Sequence, residues 1–201
     1  MGKRYEAPNQ YAWIVYGIAM VMVGGLAGYV IATENAGART ASATTATATT
    51  PAPAATPVVD ESELRAYRDI LARDPKNLAA AVKAGNMLYD AQRYVEAIGF
   101  YQQAFALNER DINISTDLGT SLWYAGRADE ALAQYQKSLA IDARHAQTLF
   151  NVGIVRADGK RDYPGAVAAW ETLLTTNPDY PAVVRVRSMI ADARQKTAAT
   201  P

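Results

Sequence analysis

The chain has 201 residues, room for one modest folded domain, and its 20 lysines and arginines balance its 20 aspartates and glutamates. A formal charge of zero supplies no reason to expect polyanion binding, which sets nucleic acid aside as a partner. The absence of cysteine excludes disulfides, thiolate chemistry, cysteine-ligated metals and lipid attachment at an N-terminal cysteine.

In chain order, residues 1–10 form a short polar tail holding Lys3 and Arg4. The following stretch, 11–32, "YAWIVYGIAMVMVGGLAGYVIA", carries no charge and is long enough to cross a bilayer as a helix of about 20 residues. Tyr11, Trp13 and Tyr29 lie near its ends, where aromatic rings favour the interface. Basic residues precede the span and Arg39 beyond it is offset by Glu34. The positive-inside rule therefore keeps the N-terminus in the cytoplasm and sends the rest across the membrane, in a bacterium to the periplasm. Gly24 and Gly28, flanked by Gly17 and Ala32, form a small-residue face suited to transmembrane helix packing. The competing reading is a cleaved signal peptide, with Ala36-Gly37-Ala38 as the cleavage sequence and a soluble periplasmic product. The apolar run exceeds the usual 7 to 15 residues of a signal peptide, which favours the retained anchor.

Residues 33–59 are rich in Ala, Thr and Pro and almost empty of large apolar side chains, so they form a flexible tether. A coil of about 27 residues spans roughly 30 Å on average. The folded part is expected over 60–197. Its first helix, 60–73, has Asp60 as N-cap, Glu63 three residues on, apolar Leu64, Tyr67 and Leu71, and a stop at Asp74-Pro75.

Three copies of one unit follow, at about 78–111, 112–145 and 146–180. Gly85, Gly119 and Gly153 recur every 34 residues inside apolar helical patterns, where glycine costs about 1 kcal/mol relative to alanine. Ala97 and Ala131 keep step, each followed four residues later by Tyr101 or Tyr135; Ala166 and Trp170 hold these places in the third copy. One extra residue in the third copy is expected in the turn "DGKRDYPG". Such spacing fits pairs of antiparallel helices whose axes approach where both present small side chains. The aromatic residues then fill the space between one pair and the next, because a single unit cannot bury its own apolar face. A closing helix over 181–195 places Val183, Val186, Ile190 and Ala193 on one face and Arg187, Arg194 and Lys196 elsewhere, the polar-backed cap a stacked array needs. Eight helices and no strands are predicted beyond the span.

The quoted elements "KAGNML" with "EAIGFY", "DLGTSL" with "EALAQY", and "NVGIVR" with "GAVAAW" and "NP" resemble the tetratricopeptide repeat pattern Trp-x2-Leu-Gly-x2-Tyr, Ala-x3-Phe, Pro. Ala81, Ser115 and Leu149 stand where that pattern has its first Trp, and Glu109 and Ala143 where it has Pro. The resemblance covers about 78–180 and implies an all-α helical solenoid of three repeats with flanking capping helices, here preceded by one transmembrane helix. It also implies that the first helix of each repeat lines a concave groove for a peptide or amphipathic helix of a protein partner. By register that groove comprises Ala79, Val82, Asn86 and Tyr89; Asn113, Thr116, Thr120 and Trp123; and Gln147, Phe150 and Ile154. Tyr89 and Trp123 either line the groove or pack between helices. Family members that clamp a C-terminal carboxylate place basic residues where this chain has Val82, Gln147 and Asn151, with only Asn86 matching, so such a clamp is not expected.

Anchor, tether and repeats together are similar to membrane-anchored subunits of cytochrome c maturation, which implies a periplasmic adaptor or assembly factor bound to the inner membrane. A structural accessory subunit, held in a larger complex by its transmembrane helix, is the alternative. Catalysis has no constellation to rest on. His145 is the only histidine and falls in a turn, Asp129-Glu130 open a helix where its dipole favours negative charge, and Lys160-Arg161 read as a solvated turn. Asn113-Ile114-Ser115 matches a glycosylation sequon at a helix start. No cofactor, metal or small-molecule substrate is expected.

Overall fold

The computed structural model describes residues 58–199, and the predicted span, the tether up to Pro57, Gly24 and Gly28 lie outside them. Eight helices and no strand occur among the described residues: α1 (Glu61–Arg73), α2 (Leu78–Asp90), α3 (Tyr94–Leu107), α4 (Ile112–Tyr124), α5 (Ala128–Ile141), α6 (Ala146–Ile154), α7 (Tyr163–Thr176) and α8 (Val183–Ala199). None of them is long and apolar enough to cross a membrane.

Short polar side chains start several of these helices by taking the unpaired N–H groups of the first turn. Asp60 accepts from Ser62 and Glu63, Asn77 from Ala80, Asp111 from Asn113 and Ile114, and Asp162 from Gly165. Within each repeat the two helices are joined by a tight turn with one residue in the left-handed region: Gln92 (φ 60°), Gly126 (φ 79°) and Arg161 (φ 54°). The next amide closes the turn onto the preceding helix, Arg93 to the Leu88 carbonyl at 2.8 Å and Arg127 to that of Leu122 at 2.9 Å. Asp162 does the same to Arg156 at 2.8 Å, one residue further back.

That difference locates the extra residue of the third repeat. It does not lengthen the turn, as expected from the sequence. The chain passes from α6 into a π-helical segment, Val155–Gly159, so the added residue widens the last helical turn. The physical reason is packing. Val155 and Ala157 of that segment are buried, and a residue placed there adds to the core, whereas one placed in the turn would displace the start of α7.

The glycine positions also differ in mechanism from the expectation that small side chains let two axes meet while the aromatic residues reach the neighbouring pair. In the structure the aromatic ring lies on the glycine of its own repeat. A Cβ at Gly85 would stand 2.9 Å from Tyr101 Cε1, one at Gly119 2.5 Å from Tyr135 Cε1, and one at Gly153 would collide with the Trp170 indole. Ala97, Ala131 and Ala166, one turn before each ring, are fully buried. Each ring thus lies against the bare backbone of its glycine, and the Tyr101 cluster extends to Leu118 and Leu122 of the next repeat.

Apolar burial runs the length of the array in three clusters. One joins α1 to α4 through Leu71, Ala80, Ala81, Ala104 and Ile114; a second centres on Tyr101 and Tyr135; a third packs α6, α7 and α8 around Trp170. The closing helix begins at Val183, two residues later than read from Pro181, and buries Val186, Ile190 and Ala193, with Val183 half-buried.

Candidate functional site

The first helices of the repeats, α2, α4 and α6, lie side by side, and polar ties join the second to the third. Thr116 Oγ1 and Thr148 Oγ1 are 2.8 Å apart, and His145 Nδ1 is 2.8 Å from the same Thr148 oxygen. One turn on, Gln147 Nε2 donates to Asn151 Oδ1 at 2.9 Å, and Asn151 Nδ2 donates to Thr120 Oγ1 at 3.0 Å. Tyr135 joins these ties by donating its hydroxyl to Thr120 at 3.0 Å, and the equivalent Tyr101 donates separately to Asn86 at 2.8 Å. Burial raises the pKa of both phenols well above its ordinary value, so each remains a donor. In the third repeat Trp170 Nε1 donates instead to the Phe150 carbonyl at 3.1 Å.

The predicted groove residues separate into two groups on this face. Ala79 and Asn113 are exposed, and Val82, Asn86, Tyr89, Thr120, Trp123, Gln147, Phe150 and Ile154 are half-buried. Thr116 is a correction: it is 2% exposed and bonded to Thr148 and to the Ile112 carbonyl, so it ties repeats together and offers nothing to a partner. Trp123 and Tyr89 pack between helices while keeping an accessible edge. The Trp123 ring lies over Gly159, where a Cβ would be 2.6 Å from Cζ3. Tyr89 makes an edge contact with Tyr94 at 5.4 Å and a tilted one with Tyr124 at 6.1 Å. Phe150 rests beside Tyr180 at 6.1 Å.

Within the sequon Asn113 is exposed while Ile114 and Ser115 are buried. Ser115 has no exposed surface and accepts from Gln134 Nε2 at 2.9 Å and Ser138 Oγ at 2.7 Å, so the folded domain cannot present Asn113-Ile114-Ser115 in the extended form that glycosylation requires. Asp129 and Lys160 form an ion pair at 2.6 Å, and Glu130 pairs with Arg127 at 2.6 Å. Among the described residues no group of three or more acidic or histidine side chains is arranged to hold a metal ion.

Two features escaped the sequence reading. Tyr94 and Tyr124 stack at 4.8 Å and, with Arg93, Val95 and Ala125, border an open cleft of about 370 Å³ at the α2–α3 turn; Tyr124 is 52% exposed. Asp117 is the other. It is the only charged residue in α4, a signal visible in the sequence, and it is half-buried. Burial first, then the Asp111 and Asp90 carboxyls, push its pKa up to about 7.

The tetratricopeptide repeat model matches residues 64–110 and 116–181. The chain belongs to the tetratricopeptide repeat family. No curated protein sequence matches it. Among solved structures, the repeat domain is similar to the MamA protein, with TM-score 0.62 and 21% identity over 67% of this chain and 72% of that one. It is similar as well to the Yersinia enterocolitica type III secretion chaperone SycD in complex with a peptide of the translocator YopD, with TM-score 0.56 and 18% identity over 60% and 94% of the two chains. The first repeat domain of Spaghetti bound to the HSP90 peptide SRMEEVD gives TM-score 0.56 and 15% identity over 62% and 96%. These likenesses establish the fold.

Proposed function

We propose that this tetratricopeptide repeat protein is an adaptor or assembly factor that holds a peptide or amphipathic helix of a partner protein on the face of α2, α4 and α6. The observation that carries the reading is the composition of that face. Half-buried Val82, Tyr89, Trp123, Phe150 and Ile154 alternate with the amides of Asn86 and Gln147, anchors and orienting groups of the kind a docked segment uses. Two structurally similar domains were solved with peptides bound, which supports a protein partner. The uncharged stretch at 11–32 favours a domain tethered to the outer side of an inner membrane through residues 33–59. Assembly of c-type cytochromes is the setting that the order of anchor, tether and repeats suggests by resemblance, and no residue of the face selects it.

Site-specific photo-crosslinking in cells tests the reading. Probes at Asn113 and Val82 are expected to give one shared adduct that a probe at the outward Lys137 does not. Adducts at none of these positions, in a protein that still co-purifies with a membrane complex, would replace the groove by a structural subunit held through its transmembrane segment.

A further inference from the structure

The open cleft of about 370 Å³ at the α2–α3 turn is bordered by none of the predicted groove residues. Tyr94 and Tyr124 stack in its wall with ring centroids 4.8 Å apart, yet Tyr124 is 52% and the neighbouring Val95 74% exposed. The charges at its rim neutralise one another. Arg93 meets the Glu96 carboxylate at 2.6 and 2.7 Å and also pairs with Glu61, while Arg68 reaches Glu96 at 3.3 Å. Two arginines and two glutamates thus form a closed network, and the walls favour a neutral, apolar segment over a charged one.

The chain delivers such a segment to this place. The Arg93–Glu61 pair ties the first turn of α1 to the rim of the cleft, and Val59 packs on the same apolar cluster as Tyr89 and Ala125. Val58, three residues before Glu61, therefore lies near the cleft, and it is 93% exposed. Residues 52–57, "APAATP", come immediately before it, uncharged and with Pro53 and Pro57. Proline-rich segments dock in aromatic-lined grooves because their φ angles are already fixed and little entropy is lost on ordering. At about 3.1 Å per residue six residues cover about 19 Å, enough to pass from Val58 over the Arg93 rim to the paired rings. We propose that the cleft is the docking site of this chain's own residues 52–57, with the proline rings against Tyr94 and Tyr124 and the small alanines beside Val95. Covalent connection gives this segment a high effective concentration at the cleft that no segment of another molecule shares. Its docking fixes the direction in which the chain leaves the repeat domain and covers the exposed edge of Tyr124, whose ring stands 6.1 Å from that of Tyr89.

The chain has no cysteine, so introduced pairs report proximity without background. In the full-length protein under a mild oxidant, Ala55→Cys with Val95→Cys is expected to close an intrachain disulfide about tenfold faster than Ala55→Cys with Asp69→Cys. Asp69 is exposed on α1, about 12 Å along that helix from Glu61, and samples the reach of an undocked segment. Adding Pro53→Gly and Pro57→Gly is expected to lower the first rate to the second. Equal rates in the two pairs would overturn the docking, and a fast rate that survives both glycine substitutions would overturn the recognition of proline. Disulfide-linked dimers as the main product would hand the cleft to a second copy and overturn the intrachain arrangement. The exposed side chain of Val95 makes its replacement compatible with the fold, which circular dichroism verifies. These substitutions leave the face of α2, α4 and α6 untouched, so failure here is separate from failure of the peptide-binding reading.

Discussion

The Tyr135 ring rests on Gly119 so closely that a Cβ at that position would lie 2.5 Å from Cε1 and 2.7 Å from Cδ1. The ring is fully buried and its hydroxyl is held by Thr120, so it cannot swing away without losing both contacts. Gly119→Ala is therefore expected to destabilise the domain by roughly 1–3 kcal/mol through overpacking, although alanine is the better helix former by about 1 kcal/mol. Gly99, also inside a helix, has open space where a Cβ would stand, with nothing within 4 Å. Gly99→Ala is expected to stabilise by about 0.5–1 kcal/mol. Urea midpoints of the two variants should move in opposite directions; a shift of the same sign would mean that helix propensity, not the ring, governs the repeat glycines.

A buried hydroxyl is costly or useful according to its partners, and α4 holds both kinds. Ser115 accepts from Gln134 and Ser138, and Ser115→Ala removes the acceptor they share inside the core. A loss of about 1–3 kcal/mol is expected. Ser121 is equally buried, but its hydroxyl has no hydrogen-bond partner, so Ser121→Ala is expected to be neutral or to stabilise by up to about 1 kcal/mol. Equilibrium denaturation of both variants checks the contrast, which would collapse if Ser115→Ala were tolerated as well as Ser121→Ala.

The left-handed turn residues give a third comparison. Gly126 adopts φ 79° with open space around it, so Gly126→Ala is expected to cost about 1 kcal/mol from backbone conformation alone. Arg161 occupies the equivalent place at φ 54°. There Arg161→Gly relieves a similar strain but increases the freedom of the unfolded chain, and the net change is expected to stay within about 0.5 kcal/mol. Thermal unfolding of the two variants measures the asymmetry; a large gain in Arg161→Gly would show that the strain dominates the chain entropy.

The helices were legible because the spacing of Gly85, Gly119 and Gly153 and of their aromatic partners repeats a packing requirement in a visible period. What a count along the chain cannot reveal is where an insertion is absorbed. The additional residue near Gly159 is equally compatible with a longer turn or a wider helix, and only the burial of Val155 and Ala157 decides for the helix. The face of α2, α4 and α6 was legible in outline for a related reason. Register tells which way Thr116 points but not that Thr148 stands 2.8 Å away, since that contact depends on how closely two repeats stack. Asp117 escaped notice although its signal was present: it is the only charge in α4, and it falls next to the register positions that the family resemblance marks.

The raised pKa of Asp117 makes a pH-dependent prediction whose sign follows from linkage. Its carboxyl titrates at about 7 in the folded protein against 3.8 for an ordinary aspartate. Between these values the folded state holds the proton more tightly than the unfolded chain does, so the contribution of Asp117 to stability falls as pH rises through this window. Its penalty is fully present above about pH 7, is absent near pH 4, and amounts to at most roughly 4 kcal/mol. Asp117→Asn cannot ionise and removes the penalty. His145, whose pKa burial lowers, titrates over part of the same range but is common to both proteins and cancels in their difference. Melting curves of the two proteins are therefore expected to coincide near pH 4 and to separate steadily up to about pH 8, with the asparagine variant the more stable. A difference that stays constant across this range would mean that Asp117 remains charged in the fold with its solvation intact.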